Sequence, residues 1–309
     1  MNVLVHAAGD DGSLPAALRE RLPGMTISTR EACDPDAISD AVVWLPPPDF
    51  FDGLTALRRV HLVAAGVDHL LAHPGLPRDA TVLRLEDAGM GREMAEYVLY
   101  GVLHAQRRFA EFAAASREGR WARDVTVRSA GETRVGILGA GVLGLSVARR
   151  LVTNGYRVSC WSRTTKRLPE GVSGAVGDAA RAAFLSASDV LVCLLPLTDA
   201  TRGILDADTF SRLPPGAFLI NVARGGHLIE ADLVEALDAG RVSGALLDVF
   251  EQEPLPSAHP FHRDPRIIVT PHVAAPSPVD ASVEQIATNL EAASRGAPLR
   301  GVIDRSRGY

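Results

Sequence analysis

The chain has 309 residues, enough for about two domains of ordinary size. A composition of 47% hydrophobic and 22% charged residues excludes a disordered, collagenous or mucin-like polymer. Against 37 acidic residues stand 32 basic ones, a formal net charge of −5, and no polybasic run is present, so neither nucleic acid nor an anionic membrane is an expected partner.

Through the first hundred residues, short β-branched runs alternate with helical stretches. Strands are expected at 3–6, 25–28, 42–45, 60–64 and 81–85, and helices at 14–22, around 50–57 and at 67–71. Pro46-Pro47-Pro48 and Pro74-Gly75 punctuate the loops. Such alternation implies a parallel sheet with helices on its faces. One long connecting helix is expected at 93–118, where Met94, Val98, Gly101, Val102, Ala105, Phe109 and Phe112 share a stripe.

A second series begins at Arg134, with strands expected at 135–138, 157–161, 190–194, 217–221, 245–248 and 267–269 and helices at 143–154, 178–186 and 230–239. Six strands joined by crossover helices make a doubly wound sheet. A last helix at 279–295 is expected to return to the first domain. The division is therefore 1–98 plus 279–309 for a smaller domain and 99–278 for a larger, doubly wound one.

Gly139-Ala140-Gly141-Val142-Leu143-Gly144 stands directly after a strand and opens a helix. In that setting the first glycine permits the tight turn, the second admits a pyrophosphate against backbone N–H groups, and the third lets the helix pack closely. The helix N-terminus adds positive potential. At the end of the next strand an NAD site normally carries Asp or Glu for the ribose hydroxyls. Here the chain reads Trp161-Ser162-Arg163-Thr164-Thr165-Lys166-Arg167, with no acid. A 2′-phosphate would be bound by Arg163, with Ser162, Thr164 and Lys166 as further donors, so NADP(H) is expected in preference to NAD(H). The plainer alternative is a basic surface turn.

Three further segments each follow a strand end, where open parallel sheets bind ligands. They are Asn221-Val222-Ala223-Arg224-Gly225-Gly226, Asp248-Val249-Phe250-Glu251-Gln252-Glu253-Pro254 and Thr270-Pro271-His272-Val273-Ala274-Ala275. Arg224, Glu253 and His272, distant in sequence, are expected to converge on one edge. Taken singly, each has a bland reading as a surface arginine, a loop acid or a satisfied histidine.

This ordered series resembles the NAD(P)-dependent D-2-hydroxyacid dehydrogenase family. Glu86-Asp87-Ala88-Gly89-Met90-Gly91, Trp161-Ser162-Arg163 and the C-terminal Asp304-Arg305-Ser306-Arg307-Gly308-Tyr309 are similar to its glyoxylate/hydroxypyruvate reductase A branch, over essentially the whole chain. The resemblance implies two doubly wound α/β domains, a Rossmann NADP domain and a smaller flavodoxin-like substrate domain, with the site in the cleft. It further implies that Arg224 holds the substrate's carboxylate or keto oxygen, that His272 protonates the carbonyl oxygen and that Glu253 orients His272. A fixed guanidinium and a protonated imidazole both favour a transition state with charge building on oxygen, and a neighbouring carboxylate keeps an imidazole protonated to higher pH. Leu195, Pro196, Val222, Ala223, Asp248 and Ala274 are expected beside the cofactor along with the glycine loop. Backbone N–H groups at Ala65, Gly66 and Val67 are expected to meet the substrate carboxylate, the plainer alternative being an ordinary strand-helix turn, with Trp44 and Met90 as pocket wall or core.

The expected activity is reduction of a small 2-keto acid, glyoxylate or hydroxypyruvate, to glycolate or D-glycerate with NADPH, by a cytoplasmic homodimer. Two alternatives are a redox-sensing regulator that binds NAD(P)H without turnover and a dehydrogenase of another 2-hydroxy acid. Formate oxidation is disfavoured, because formate dehydrogenases carry Gln at the Glu253 position. The branch has an Arg in the loop after the Pro-His motif; here that loop reads Pro276-Ser277-Pro278-Val279, without that contact. Cys33, Cys160 and Cys193 form no C-x-x-C pair and read as reduced thiols. The start, residues 1–6, lacks the basic n-region of a secretory signal, and the uncharged stretch 135–148 falls short of the roughly 20 residues of a membrane span. His259 and His262 have metal-pair spacing but no third ligand in view, so no metal is expected.

Overall fold

The computed structural model describes all residues from Met1 to Tyr309 and divides into two compact units, Met1–Met90 with Ser277–Tyr309, and Gly91–Pro276. The first unit opens with β1 (Asn2–Ala7), α1 (Ser13–Arg21), β2 (Thr26–Ser28), β3 (Asp40–Trp44), β4 (Arg59–Leu62), α2 (Asp68–Leu71) and β5 (Thr81–Leu83). Next come α3 (Met90–Gln106) and α4 (Phe109–Arg117). The remainder of the second unit runs β6 (Arg134–Leu138), α5 (Val142–Thr153), β7 (Arg157–Ser162), β8 (Val172–Val176), α6 (Asp178–Ser186) and β9 (Val190–Cys193). It continues with α7 (Ala207–Arg212), β10 (Ala217–Asn221), α8 (Glu230–Asp238), β11 (Val242–Leu247) and β12 (Ile267–Val269). The chain then returns to the first unit as α9 (Val279–Ser294).

Both sheets are wholly parallel. The smaller has order β2-β1-β3-β4-β5, the flavodoxin-like arrangement, and the larger has order β12-β11-β10-β9-β6-β7-β8, a Rossmann sheet extended by one strand. Parallel strands covered on both faces read as continuous apolar runs, and Val3, Leu4, Val42, Val43, Ile137, Leu191, Leu219 and Leu246 are all fully buried.

Four local expectations need correction. The 50–57 segment is a chain of turns rather than a helix, with Gly53 at φ 74°, although Phe50, Phe51 and Leu54 are core residues. The long helix is two: Arg108 takes a left-handed conformation (φ 55°) and separates α3 from α4. Phe109, placed on the shared stripe of a single helix, lies beyond this break and is 49% exposed. The larger sheet has a seventh strand, β8, at its edge, and α7 follows β9 where no helix was expected.

Candidate active site

The register of the larger sheet fixes the geometry. Leu138 lies opposite both Trp161 and Cys193, Cys193 opposite Asn221, Asn221 opposite Leu247, and Leu247 opposite Val269. Six neighbouring strands thus end in one row, and every segment singled out in this half of the chain leaves that row at its carboxyl edge. The order reverses between β6 and β9, the switch point where such sheets bind dinucleotides.

Each glycine of the loop after β6 has a separate reason. Gly139 is left-handed (φ 114°), and a Cβ there would stand 2.6 Å from the Leu194 carbonyl oxygen. A Cβ on Gly144 would stand 2.1 Å from the Gly139 oxygen, so the first turn of α5 packs directly on the loop. At Gly141, the N-cap of α5, a Cβ would meet nothing within 4 Å. What a side chain there would fill is open space in front of a twelve-residue helix whose first turn carries no acid, and a dinucleotide's pyrophosphate fits that cradle.

After β7, Ser162 is buried and donates from Oγ to the Thr164 carbonyl at 2.9 Å, so this hydroxyl shapes the turn. Arg163, Thr164 and Lys166 lie exposed around it. Leu195, Val222, Ala223, Asp248 and Ala274 are buried, Pro196 half-buried, and Val142 exposed at the head of α5, with Leu143 next to it half-buried.

Arg224 follows β10 by three residues. Buried Asn221 shapes its loop, donating from Nδ2 to the Arg224 carbonyl (3.1 Å) and accepting the Ala223 N–H at Oδ1 (3.3 Å). The Arg224 guanidinium donates from Nη1 to the Ala223 carbonyl at 2.7 Å. Gly225 allows this loop to lie against the next: a Cβ there would be 1.8 Å from the Phe250 carbonyl carbon.

Glu253 divides its carboxylate. Oε1 accepts the Phe250 N–H at 2.9 Å, and Oε2 stands 2.7 Å from His272 Nδ1. With Nδ1–H facing a carboxylate, Nε2 is the ring atom that can offer a proton to a ligand. His272 is 45% exposed in its side chain and left-handed in its backbone (φ 56°). Asp248 holds that unusual conformation: its carbonyl accepts the His272 N–H at 2.8 Å, and its buried carboxylate accepts from Thr270 Oγ1 (2.7 Å), Val273 N (2.8 Å) and Ala274 N (2.9 Å). Tyr97 of α3 is hydrogen-bonded to Thr270 Oγ1 in turn, and burial pushes its phenol pKa up. Arg224, Glu253 and His272 are therefore brought to one edge, as their spacing after strands suggests. Tyr97 escapes sequence reading, and Asn221 and Thr270, although they open two of the segments singled out, carry no sign there of their bracing role, because no motif marks which side chains brace a loop.

In the first unit, Ala65, Gly66 and Val67 form the turn between β4 and α2. The Ala65 carbonyl accepts from Arg84 Nη1 at 3.5 Å, and Val67 sends its side chain into the core. Trp44 is half-buried against that core. Met90 is buried, its sulfur accepting from Ser277 Oγ at 3.2 Å. His259 is engaged by Glu230 (Nε2 to Oε2, 3.1 Å) and accepts the Phe261 N–H at Nδ1. Burial raises the thiols of Cys160 and Cys193 to about 12, so neither is a nucleophile near neutrality.

A glycine cradle at the switch point and an Arg, Glu and His set on the same strand edge define a nucleotide-dependent dehydrogenase. The chain belongs to the D-isomer specific 2-hydroxyacid dehydrogenase family, whose NAD-binding domain model matches residues 99–274. Among curated proteins it is 44% identical over 299 residues to glyoxylate/hydroxypyruvate reductase A of Serratia proteamaculans, covering 95% of each chain. A solved D-isomer specific 2-hydroxyacid dehydrogenase from Xanthobacter autotrophicus in complex with NADPH and MES superposes with a TM-score of 0.94 at 41% identity, covering 100% of this chain and 99% of that one. The NADPH-dependent glyoxylate/hydroxypyruvate reductase of Sinorhizobium meliloti, in complex with NADP and sulfate, gives 0.92 at 38% identity over 100% and 99% of the two chains.

Proposed function

We propose that the protein reduces small 2-keto acids, glyoxylate and hydroxypyruvate, to glycolate and D-glycerate with NADPH. The observation that carries this reading is the 2.7 Å contact of Glu253 Oε2 with His272 Nδ1, on the strand edge that also bears Arg224 and the glycine loop. Gly139, Gly141, Gly144, Val142 and Leu143 would hold the pyrophosphate, Arg163, Thr164 and Lys166 the 2′-phosphate, and Leu195, Pro196, Val222, Ala223 and Ala274 would flank the cofactor. Ser162 and Asp248 support that site through the backbone bonds already described. Bound NADPH supplies the hydride. His272 gives a proton from Nε2 to the carbonyl oxygen as negative charge develops there, and Glu253 keeps Nδ1–H oriented and stabilises the imidazolium before transfer. Arg224 holds the carboxylate or keto oxygen, a charge-assisted contact that strengthens as the oxygen becomes anionic. Backbone donors at Ala65, Gly66 and Val67 are assigned to the substrate carboxylate, with half-buried Trp44 limiting substrate size and Met90, buried and bound by Ser277, serving as core.

Steady NADPH consumption with either keto acid tests this assignment, and a protein that binds NADPH without turnover would be the regulator instead. We further assign a homodimer, supported by the large apolar side chains exposed in one stretch of the second unit, Tyr100 (51%), Phe109 (49%) and Trp121 (88%). No helix is long and apolar enough to cross a membrane. The buried unpaired thiols suit a reducing compartment such as the cytoplasm.

A further inference from the structure

His227 lies three residues beyond Arg224, fully buried, in a short helical turn (Gly225–His227). Its ring stands between two main-chain oxygens, with Nδ1 3.1 Å from the Arg224 carbonyl and Nε2 3.3 Å from the Pro196 carbonyl. Each oxygen also has another donor. The Arg224 carbonyl accepts from Asn221 Nδ2 and from the His227 N–H, and the Pro196 carbonyl from Thr201 Oγ1 at 2.7 Å. Satisfying those carbonyls does not by itself require an imidazole. What the ring adds is a rigid connection between two loops leaving neighbouring strands, β9 and β10.

The Pro196 loop is in turn packed on the glycine loop, since Gly139 has room for no Cβ against Leu194 O (2.6 Å) or Leu195 N (3.3 Å). One continuous path therefore runs from the glycine cradle through Leu194 and Pro196 to the His227 ring and the main chain of Arg224. Because both oxygens can only accept, a neutral ring donates to one and turns a lone pair to the other, and a doubly protonated ring donates to both. A neutral ring is therefore hydrogen-bonded to one loop and only packed against the other, and in either state this fully buried ring fills the space between them, so that a displacement of one loop is felt by the other through it.

We propose that His227 is a positioning residue that makes the placement of Arg224 depend on bound cofactor, so that a 2-keto acid binds tightly only once the dinucleotide is in place. This rests on the proposed reductase reading and goes beyond it, by assigning cofactor-to-substrate coupling to one ring. The two halves of the connection can be cut separately. In His227→Asn the amide nitrogen occupies the place of Nδ1 and reaches Arg224 alone. In His227→Gln it occupies the place of Nε2 and reaches Pro196 alone.

The experiment is calorimetric titration with oxamate, a non-reducible planar mimic of a 2-keto acid, with and without saturating NADPH, alongside steady-state kinetics. For the parent, NADPH should tighten oxamate binding by about ten-fold or more, within the usual range of coupling between sites. In both variants that ratio should fall below about three-fold and the KM for keto acid should rise, while the Kd for NADPH stays within about two-fold of the parent. A merely structural histidine would weaken both ligands alike or leave the ratio intact, and either result overturns the inference. Parent turnover with no effect of NADPH on oxamate binding overturns it too, leaving the reductase reading standing. No parent turnover with any 2-keto acid overturns the reading and the inference together.

Discussion

Glu253 Oε2 stands 2.7 Å from His272 Nδ1, while the other oxygen of the same carboxylate accepts the Phe250 N–H at 2.9 Å. Both neighbours are donors, so the site asks for a group that accepts at two oxygens, and a carboxylate is the side chain that does so. An amide can accept at only one.

Glu253→Gln should therefore lose more than charge. Either its NH2 faces His272 Nδ1 and drives the proton to the wrong ring nitrogen, or it faces the Phe250 N–H and unsettles the loop. Expected is a fall in kcat of about 10²-fold or more with little change in NADPH affinity. Single-turnover rates beside the Kd for NADPH check this, and an unchanged rate would remove Glu253 from the mechanism.

The glycine loop yields a contrast between two alanines. Gly141→Ala adds a methyl in open space where a pyrophosphate would lie, so the KM for NADPH should rise about ten-fold with an unchanged Tm. Gly144→Ala places its methyl 2.1 Å from the Gly139 oxygen and should cost about 1–3 kcal/mol of stability. Thermal melts with cofactor titrations separate the outcomes, and equal melting losses in both would contradict the account.

Cofactor choice rests on the acid-free turn after β7. Arg163→Ala should shrink the preference for NADPH over NADH by about ten-fold or more, the worth of one charge-assisted contact of roughly 1.5–3 kcal/mol, mainly through the cofactor KM. Ser162→Ala should do less to the preference and more to stability, because its Oγ holds the Thr164 carbonyl. A parent equally efficient with both cofactors would exclude this assignment.

In the first unit, Asp40 is buried with four donors from three residues on its carboxylate: Arg59 (Nε at 2.6 Å and Nη2 at 2.7 Å), Ser39 Oγ (2.8 Å) and His61 Nε2 (3.1 Å). Burial favours the neutral acid, but the hydrogen bonds from His61 and Arg59 outweigh it and hold the group at about 2. A folded value below the ordinary aspartate value of about 3.9 means that the stabilisation is present above that pH and is lost as pH falls toward 2. The shift corresponds to roughly 2 kcal/mol. Urea unfolding at pH 5, 4 and 3 should show a steeper loss in the parent than in Asp40→Asn, which should already be less stable near neutrality; parallel slopes would contradict the assignment.

Much of this was legible in the sequence because parallel strands are buried on both faces and announce themselves as apolar runs. The strand β8 escaped because Val-Ser-Gly-Ala-Val at an exposed edge has no such run. Residues 50–57 misled because Phe50, Phe51 and Leu54 are truly core, and burial alone does not distinguish a helix from a chain of turns. The break at Arg108 carries neither glycine nor proline, and its side chain is bound to Glu111 and to the Thr126 carbonyl, contacts that only the folded chain supplies. In the site, the residues presented by strand ends were readable from motifs. The bracing roles of Asn221, Thr270, Tyr97 and His227 were not, even where the residue stood within a motif, since each acts through a partner distant in sequence or through a backbone oxygen.

The most direct test of the central claim is the initial rate of NADPH oxidation with hydroxypyruvate, for the parent and for His272→Ala at equal NADPH occupancy. The account predicts sustained turnover by the parent and a loss of about 10² to 10⁴-fold in the variant, the usual worth of a positioned general acid, with NADPH binding preserved. No turnover by the parent, or near-parental turnover by His272→Ala, would contradict it.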